Sequence, residues 1–152
     1  MDRIYSIEIA IVAIPLIYFS ICFLFSRMGW YAFSSKLSMH CPPDGVKFRE
    51  VSGWFNPIAA YRKNLSITIS HEGVYCEQGF IFRPWHPPFF IPWEFLDQVH
   101  IRSILGWPQA IFVFRLGNNS FSIRLPENAI NEAEKCIVNE SVKRKFQQNL
   151  GN

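Results

Sequence analysis

Residues 4–25, IYSIEIAIVAIPLIYFSICFLF, form a nearly unbroken apolar run with a single charge, Glu8. At about 1.5 Å rise per residue the run makes a helix of roughly 33 Å, enough to cross a hydrocarbon core of about 30 Å. The chain beyond residue 25 reads as a soluble domain, so the simplest expectation is a small globular module tethered to a lipid bilayer through residues 4–25. Glu8 lies near the amino end of the run, where a carboxylate reaches the interface rather than the midplane. Pro15 falls mid-span, frees the Ile11 carbonyl and predicts a kink.

A cleaved secretory signal would want a basic amino end, a shorter apolar stretch and small residues at the cleavage site. Here Asp2 and Arg3 start the chain, and Phe25, Ser26, Arg27 and Met28 lead out of the run. Lipid attachment at Cys22 fits no better, because Ile21 stands where a small residue is wanted. The segment is therefore expected to stay as an anchor. Only Arg3, beside Asp2, lies on the amino side, whereas Arg27, Lys36, Lys47 and Arg49 come after the span. That bias predicts an outside amino terminus and a cytoplasmic carboxyl domain. Trp30, Tyr31 and Phe33 suit an interfacial aromatic belt.

After the anchor about 125 residues remain, enough for one domain with its own core. The whole chain has fifteen Phe and five Trp, most of them after the anchor, which argues against disorder there. The net charge of +3 is modest. With no long basic run, nothing implies nucleic acid, and the mild positive balance suits a domain beside anionic lipid. Four cysteines, Cys22, Cys41, Cys76 and Cys136, form no Cys-x-x-Cys and no other metal-ligand spacing. Free, mostly buried thiols in a reducing compartment are expected.

Residues 34–45, SSKLSMHCPPDG, have the composition of a linker. Strand signals then accumulate. Leu65, Ile67 and Ile69 alternate with Ser66, Thr68 and Ser70; a turn at His71-Glu72-Gly73 leads to a return strand over 74–77. Residues 46–51 predict a first strand and 95–101 another, ended near Gly106-Trp107-Pro108. Residues 110–116 and 120–125 flank Gly117-Asn118-Asn119, a hairpin turn whose residues tolerate positive φ. Beyond Pro126 the period becomes helical: Ile130, Ala133, Ile137, Ser141, Val142 and Phe146 mark one face. Glu127 in the first turn and Lys143, Arg144 and Lys145 in the last complement the helix dipole. The fold class is thus α+β: one transmembrane helix, then a small antiparallel sheet or barrel closed by a C-terminal helix. The expected divisions are an anchor with its flank over 1–33, a linker over 34–45 and a β domain over 46–152, with the helix at roughly 126–148.

Residues 80–93, FIFRPWHPPFFIPW, stand apart. Prolines 84, 87, 88 and 92 remove backbone donors, so the segment is expected to run extended or polyproline-like and enter a strand after Pro92. Two readings compete. In one, Trp85, Phe89, Phe90 and Trp93 pack the loop against the core; in the other, Arg83, Trp85 and His86 form an exposed ledge for a peptide or lipid headgroup. The order Gly73-Val74-Tyr75, Phe82-Arg83 and His86-Pro87-Pro88-Phe89-Phe90-Ile91-Pro92-Trp93 resembles a group of small bacterial membrane-anchored proteins with an HPPxxIPW string. More remotely, strands with a closing helix after them resemble the pleckstrin-homology (PH) architecture. The resemblance implies a PH-like domain at a bacterial inner membrane and brings no established activity.

No catalytic motif stands out. His40, His71, His86 and His100 match no metal-ligand spacing, no glycine-rich phosphate loop occurs, and a Cys76 nucleophile would need His86 or His100 beside it. The expectation is a non-enzymatic binding or scaffold module without cofactor or metal, held at the bilayer and engaging a protein partner or the inner leaflet. Arg83, Trp85 and His86 are the candidate surface, with Lys143, Arg144 and Lys145 as an electrostatic supplement. The alternatives are an accessory subunit acting through its transmembrane helix, and a membrane-bound enzyme.

Overall fold

The computed structural model describes residues 2–56, 59–104, 106–137 and 140–150. Helix α1 spans Asp2–Phe25 and runs through Pro15 without interruption. Isoleucines, leucines and phenylalanines from Ile9 to Phe25 are exposed along it. A helix apolar all round has no polar face for water and needs lipid or protein around it. Within Glu8–Leu37 an 18-residue window reaches a mean hydropathy of 2.5, so this helix is long and apolar enough to cross a membrane.

The helical path does not stop at Phe25. A kinked segment, Ser26–Trp30, leads into α2, Tyr31–Leu37, and the break in direction falls at Gly29, which leaves helical geometry at φ +153°. A Cβ on Gly29 would lie 2.2 Å from Cβ of Phe55, so only glycine lets the chain turn here and press against the sheet. Past this turn Trp30 and Phe33 are 0% exposed and belong to the domain core. The aromatic-belt expectation therefore fails for these two residues: their rings are covered by protein. Helix α2 also takes in residues 34–37, the start of the segment expected as a linker.

Seven antiparallel strands come next: β1 Val46–Phe55, β2 Ala59–Ile69, β3 Gly73–Gln78, β4 Phe89–Pro92, β5 Leu96–Ile104, β6 Trp107–Leu116 and β7 Asn119–Pro126. They form one sheet in the order β4-β3-β2-β1-β7-β6-β5. Alternation sets the inner face: Leu65, Ile67 and Ile69 of β2 are buried, as are Phe112 and Phe114 of β6 and Phe121, Ile123 and Leu125 of β7. The β6–β7 hairpin turns through Gly117 at φ +61°, with Leu116 opposite Asn119. Strand β6 begins at Trp107, where a strand end was expected, and Ser103 faces Pro108 across the turn. Strand β4, which lies inside the proline-rich segment, is the edge strand next to β3, and its Phe89 is bridged on the other side by the single residue Ser38. An edge position tolerates the missing donor of Pro92, which is why a strand survives there.

The single helix expected over 126–148 is two helices, α3 Asn128–Cys136 and α4 Glu140–Leu150. Ile137 leaves the helical region at φ −72°, ψ 104°, so α3 stops there. The inward stripe holds across the break: Ala129, Ile130, Ala133, Ile137 and Phe146 are buried, and the Phe146 ring lies 6.0 Å from that of Phe112. Val142 packs half-buried against the core, and the side chain of Ser141 lies outside the described residues. The result is α+β: an apolar helix, a curled antiparallel sheet and short closing helices.

Candidate functional site

The proline-rich segment and the continuation of the apolar helix are built against each other. Prolines remove N–H donors but leave carbonyls, and buried carbonyls need donors from elsewhere. The helix supplies them. The Ser26 hydroxyl donates to the Trp85 carbonyl. The Trp30 indole N–H donates to the Pro87 carbonyl at 2.8 Å, and the Met39 amide to that of Pro88 at 3.3 Å. Around these bonds sits an aromatic joint. Trp30 meets Phe89 at 4.9 Å between ring centroids, His86 at 5.2 Å and Phe55 at 5.4 Å, while Phe55 stacks on Phe121 at 4.3 Å. Edge-to-face and stacked pairs like these contribute about 0.5–1.5 kcal/mol each beyond their buried area.

His86 belongs to this joint and not to a surface. It is 1% exposed. Its Nδ1 faces the Pro84 carbonyl at 2.9 Å, which can only accept, so Nδ1 carries the proton. Nε2 is then the acceptor for the Tyr61 hydroxyl at 3.0 Å. That hydroxyl also lies 3.2 Å from the Phe25 carbonyl, where α1 ends. Burial holds the His86 pKa below the usual imidazole value, against opposing contributions from the Pro84 and Phe82 carbonyls. Burial likewise raises the Tyr61 phenol well above its ordinary value. The pair is neutral, and it pins the end of the apolar helix to the loop.

The first part of the segment does the opposite. Residues Phe80–Phe82 form a short 3₁₀ turn, and Arg83 and Trp85 come after it at the surface. Phe80 is 86% exposed, Trp85 57%, and Ile81 and Phe82 are exposed beside them. Trp85 takes φ +64°, a left-handed conformation costing an L-residue roughly 1–2 kcal/mol. Its ring packs edge-on against Phe23 of α1 at 5.5 Å. On the same helix end the Arg27 guanidinium lies 4.2 Å from the Tyr31 ring centroid and 5.1 Å from that of Phe23. The apolar surface of α1 thus continues onto the loop. Of the two readings of the segment, burial applies to His86, Phe89, Ile91 and Trp93, and exposure to Arg83 and Trp85.

Lys143 is half-buried and Arg144 exposed on α4, which packs on β5; the side chain of Lys145 lies outside the described residues. These cations therefore belong to a different element from the Arg83–Trp85 loop. Cys76 is fully buried, and burial, with a smaller push from the neighbouring Glu77, raises its thiol well away from a nucleophilic thiolate. Both ring nitrogens of His86 are already engaged, and His100 is exposed with Nε2 on Gln98 at 2.9 Å. Among the described residues no three His, Cys, Asp or Glu side chains converge.

Sequence reading missed one group. A cavity of about 210 Å³ opens beside the end of α1, walled by Phe25, Tyr61 and Phe82, with Arg62 and Asn64 at its lining. Gln78 also lines it. It ends β3 opposite Leu65, on the same inward face as Val74 and Cys76, and is 4% exposed. Neither Nε2 nor Oε1 of Gln78 has a hydrogen-bond partner among the described residues. Burying an amide this way costs about 1–3 kcal/mol, so the position is not explained by stability. A second concavity, on the sheet's outer side, gathers Arg49, Lys63 and Arg124 near Trp107.

No protein-family model matches the chain, and no curated protein matches it in sequence. Among solved structures it is similar to the Vps36 N-terminal PH domain, at 11% identity and a TM-score of 0.44, over 72% of this chain and 83% of that one.

Proposed function

We propose that this protein is a single-pass, membrane-tethered binding module whose PH-like domain works at the bilayer surface without catalysing a reaction. Residues 4–25 span the lipid, the domain lies on the cytoplasmic side of a bacterial inner membrane, and its working unit starts at Ser26 rather than at residue 46. The observation that carries this reading is the continuity of exposed apolar surface from α1 through Phe23 and Trp85 to Phe80, Ile81 and Phe82. Exposed apolar patches of this kind mark interaction surfaces. A domain fixed by Gly29, Trp30 and His86 at the end of its span presents that loop at headgroup depth, with Arg27 and Arg83 beside it to meet anionic lipid. Arg83 and Trp85 form the recognition ledge, His86 holds the loop from behind, and Lys143, Arg144 and Lys145 supplement the positive field.

The test is crosslinking and pull-down from intact membranes, comparing wild type with an Arg83→Gln/Trp85→Ala variant and leaving the buried His86 in place. A crosslinked partner lost only in the variant is the expected result; an unchanged partner set contradicts the ledge. Replacing residues 4–25 by an unrelated span separates the accessory-subunit alternative. Binding survives the swap if the domain is the contact and disappears if the helix is.

A further inference from the structure

Two concavities of opposite charge flank the β5–β6 hairpin. The first, about 400 Å³, gathers Arg49, Lys63 and Arg124 against the one carboxylate of Glu50, an excess of two positive charges, and Trp107 lines it beside them. The second, about 460 Å³, is lined by Glu127 and Glu134, two carboxylates with no cation, together with Asn128, Asn131, Ile101 and Ile130. Among the described residues none of Arg49, Lys63, Arg124, Glu127 and Glu134 makes an ion pair. Arg124 lies over the Trp54 ring at 4.6 Å, which fixes its guanidinium without neutralising it. The backbone gathers the other two cations. The β1–β2 ladder shifts register on either side of Val51, and Glu50 and Lys63 take φ +55° and +49°. Such bulges re-aim side chains that a regular pleat would send elsewhere.

The exposed apolar groups divide in the same way. Trp107 is 74% exposed and lines the basic concavity; Ile101 is 49% exposed and lines the acidic one. Ile101 pairs with the buried Ala110, and Trp107 lies an odd number of residues from Ala110 on the same strand, so alternation puts it on the opposite face. One copy cannot bring its own Trp107 into its own acidic hollow.

We propose that the acidic hollow of one copy receives the basic, Trp107-bearing surface of a second copy of this chain in a head-to-tail contact. Arg49 and Lys63 meet Glu127 and Glu134, and Trp107 enters beside Ile101 and Ile130, where an Asn side-chain oxygen accepts its indole N–H. The two surfaces are unlike, so each contact leaves one surface free at either end and the array extends or closes as a ring. No lining residue comes from α1, α2 or residues 80–93, so the Arg83–Trp85 ledge stays open. Tethering in one bilayer supplies the local concentration that a modest contact needs, and to that extent the proposal rests on residues 4–25 being a span.

Cys41 is exposed whereas Cys22, Cys76 and Cys136 are buried, so it takes donor or acceptor dyes on the full chain in phosphatidylcholine vesicles. Energy transfer roughly twofold or more above random mixing is expected for wild type. Lys63→Glu/Trp107→Ala disables the basic surface and Glu127→Lys/Asn131→Lys the acidic one, all at exposed positions. Each variant alone should fall to random mixing with its thermal midpoint kept. A mixture of the two should regain transfer, because each supplies the surface the other lacks. If either double variant melts early, Lys63→Glu and Glu127→Lys alone take their place and should give the same pattern. Absent transfer in wild type, transfer retained by either variant alone, or no recovery in the mixture overturns the proposal. Flotation of the same vesicles reads the anchor: chains left behind refute the span and the proposal with it, whereas floating chains without transfer refute the contact only.

Discussion

Residues 8–25 and 26–37 are both helical and both rich in large apolar side chains, yet they occupy opposite environments. The first stretch exposes nearly every side chain it carries; the second buries Ser26, Trp30, Phe33 and Ser34 inside a β domain. What separates them is not hydrophobicity but a backbone turn at Gly29 and three side-chain donors or rings that fit one loop. Hydropathy measures whether a segment avoids water. It does not say whether lipid or protein does the covering.

Removing the fit should have the largest effect. Trp30→Ala deletes a fully buried indole and orphans the Pro87 carbonyl, and it should cost about 3–5 kcal/mol in denaturant unfolding. An equal truncation in α1, Phe19→Ala, should leave the unfolding of the domain unchanged. Gly29→Ala should come next, at roughly 3 kcal/mol, because the added Cβ meets Phe55 and the backbone must hold φ +153°. A loss below about 1 kcal/mol would show that the turn relaxes and that the two stretches are not locked at this point.

The His86–Tyr61 pair gives a smaller, pH-dependent term. The folded-state pKa of His86 is depressed, so the unfolded chain binds the proton more readily. Its contribution is whole above the unfolded value near 6.5 and is lost as pH falls through the lower folded value. The slope this adds is at most about 1.4 kcal/mol per pH unit and should vanish in His86→Asn, measured as stability against pH from roughly 7.5 down to about 5. A His86→Asn profile parallel to wild type would remove His86 from the joint. Smallest in stability is Trp85→Ala, within about 0.5 kcal/mol by thermal unfolding, since Trp85 is largely exposed; its effect belongs to membrane or partner binding.

The regular elements were legible because alternation and helical period survive in plain sequence: Leu65-Ile67-Ile69, Phe121-Ile123-Leu125 and the Ile130-Ala133-Ile137 stripe all face the core. Four things were not legible. The break at Ile137 has no glycine or proline to announce it, so the period ran on through it. Strand β4 was obscured by prolines that only an edge position excuses, and edge status is a property of the assembled sheet. The candidate site needed contacts across long separations: Ser26 with Trp85, Trp30 with Pro87, and Tyr61 with His86. Arg83, Trp85 and His86 sit together in sequence, yet Arg83 and Trp85 are exposed and His86 is buried. Gln78 carried no signal at all, since a glutamine ending a strand is ordinary until its amide is found buried without a partner among the described residues.

The most direct measurement compares cooperative unfolding of two shortened chains, one beginning at residue 26 and one at residue 38. If the helical continuation is core, the longer chain melts in a single sharp transition, and the shorter one, lacking Trp30 and Phe33, shows none. Equal, cooperative melting of both would contradict the account and return residues 26–37 to the role of a tether.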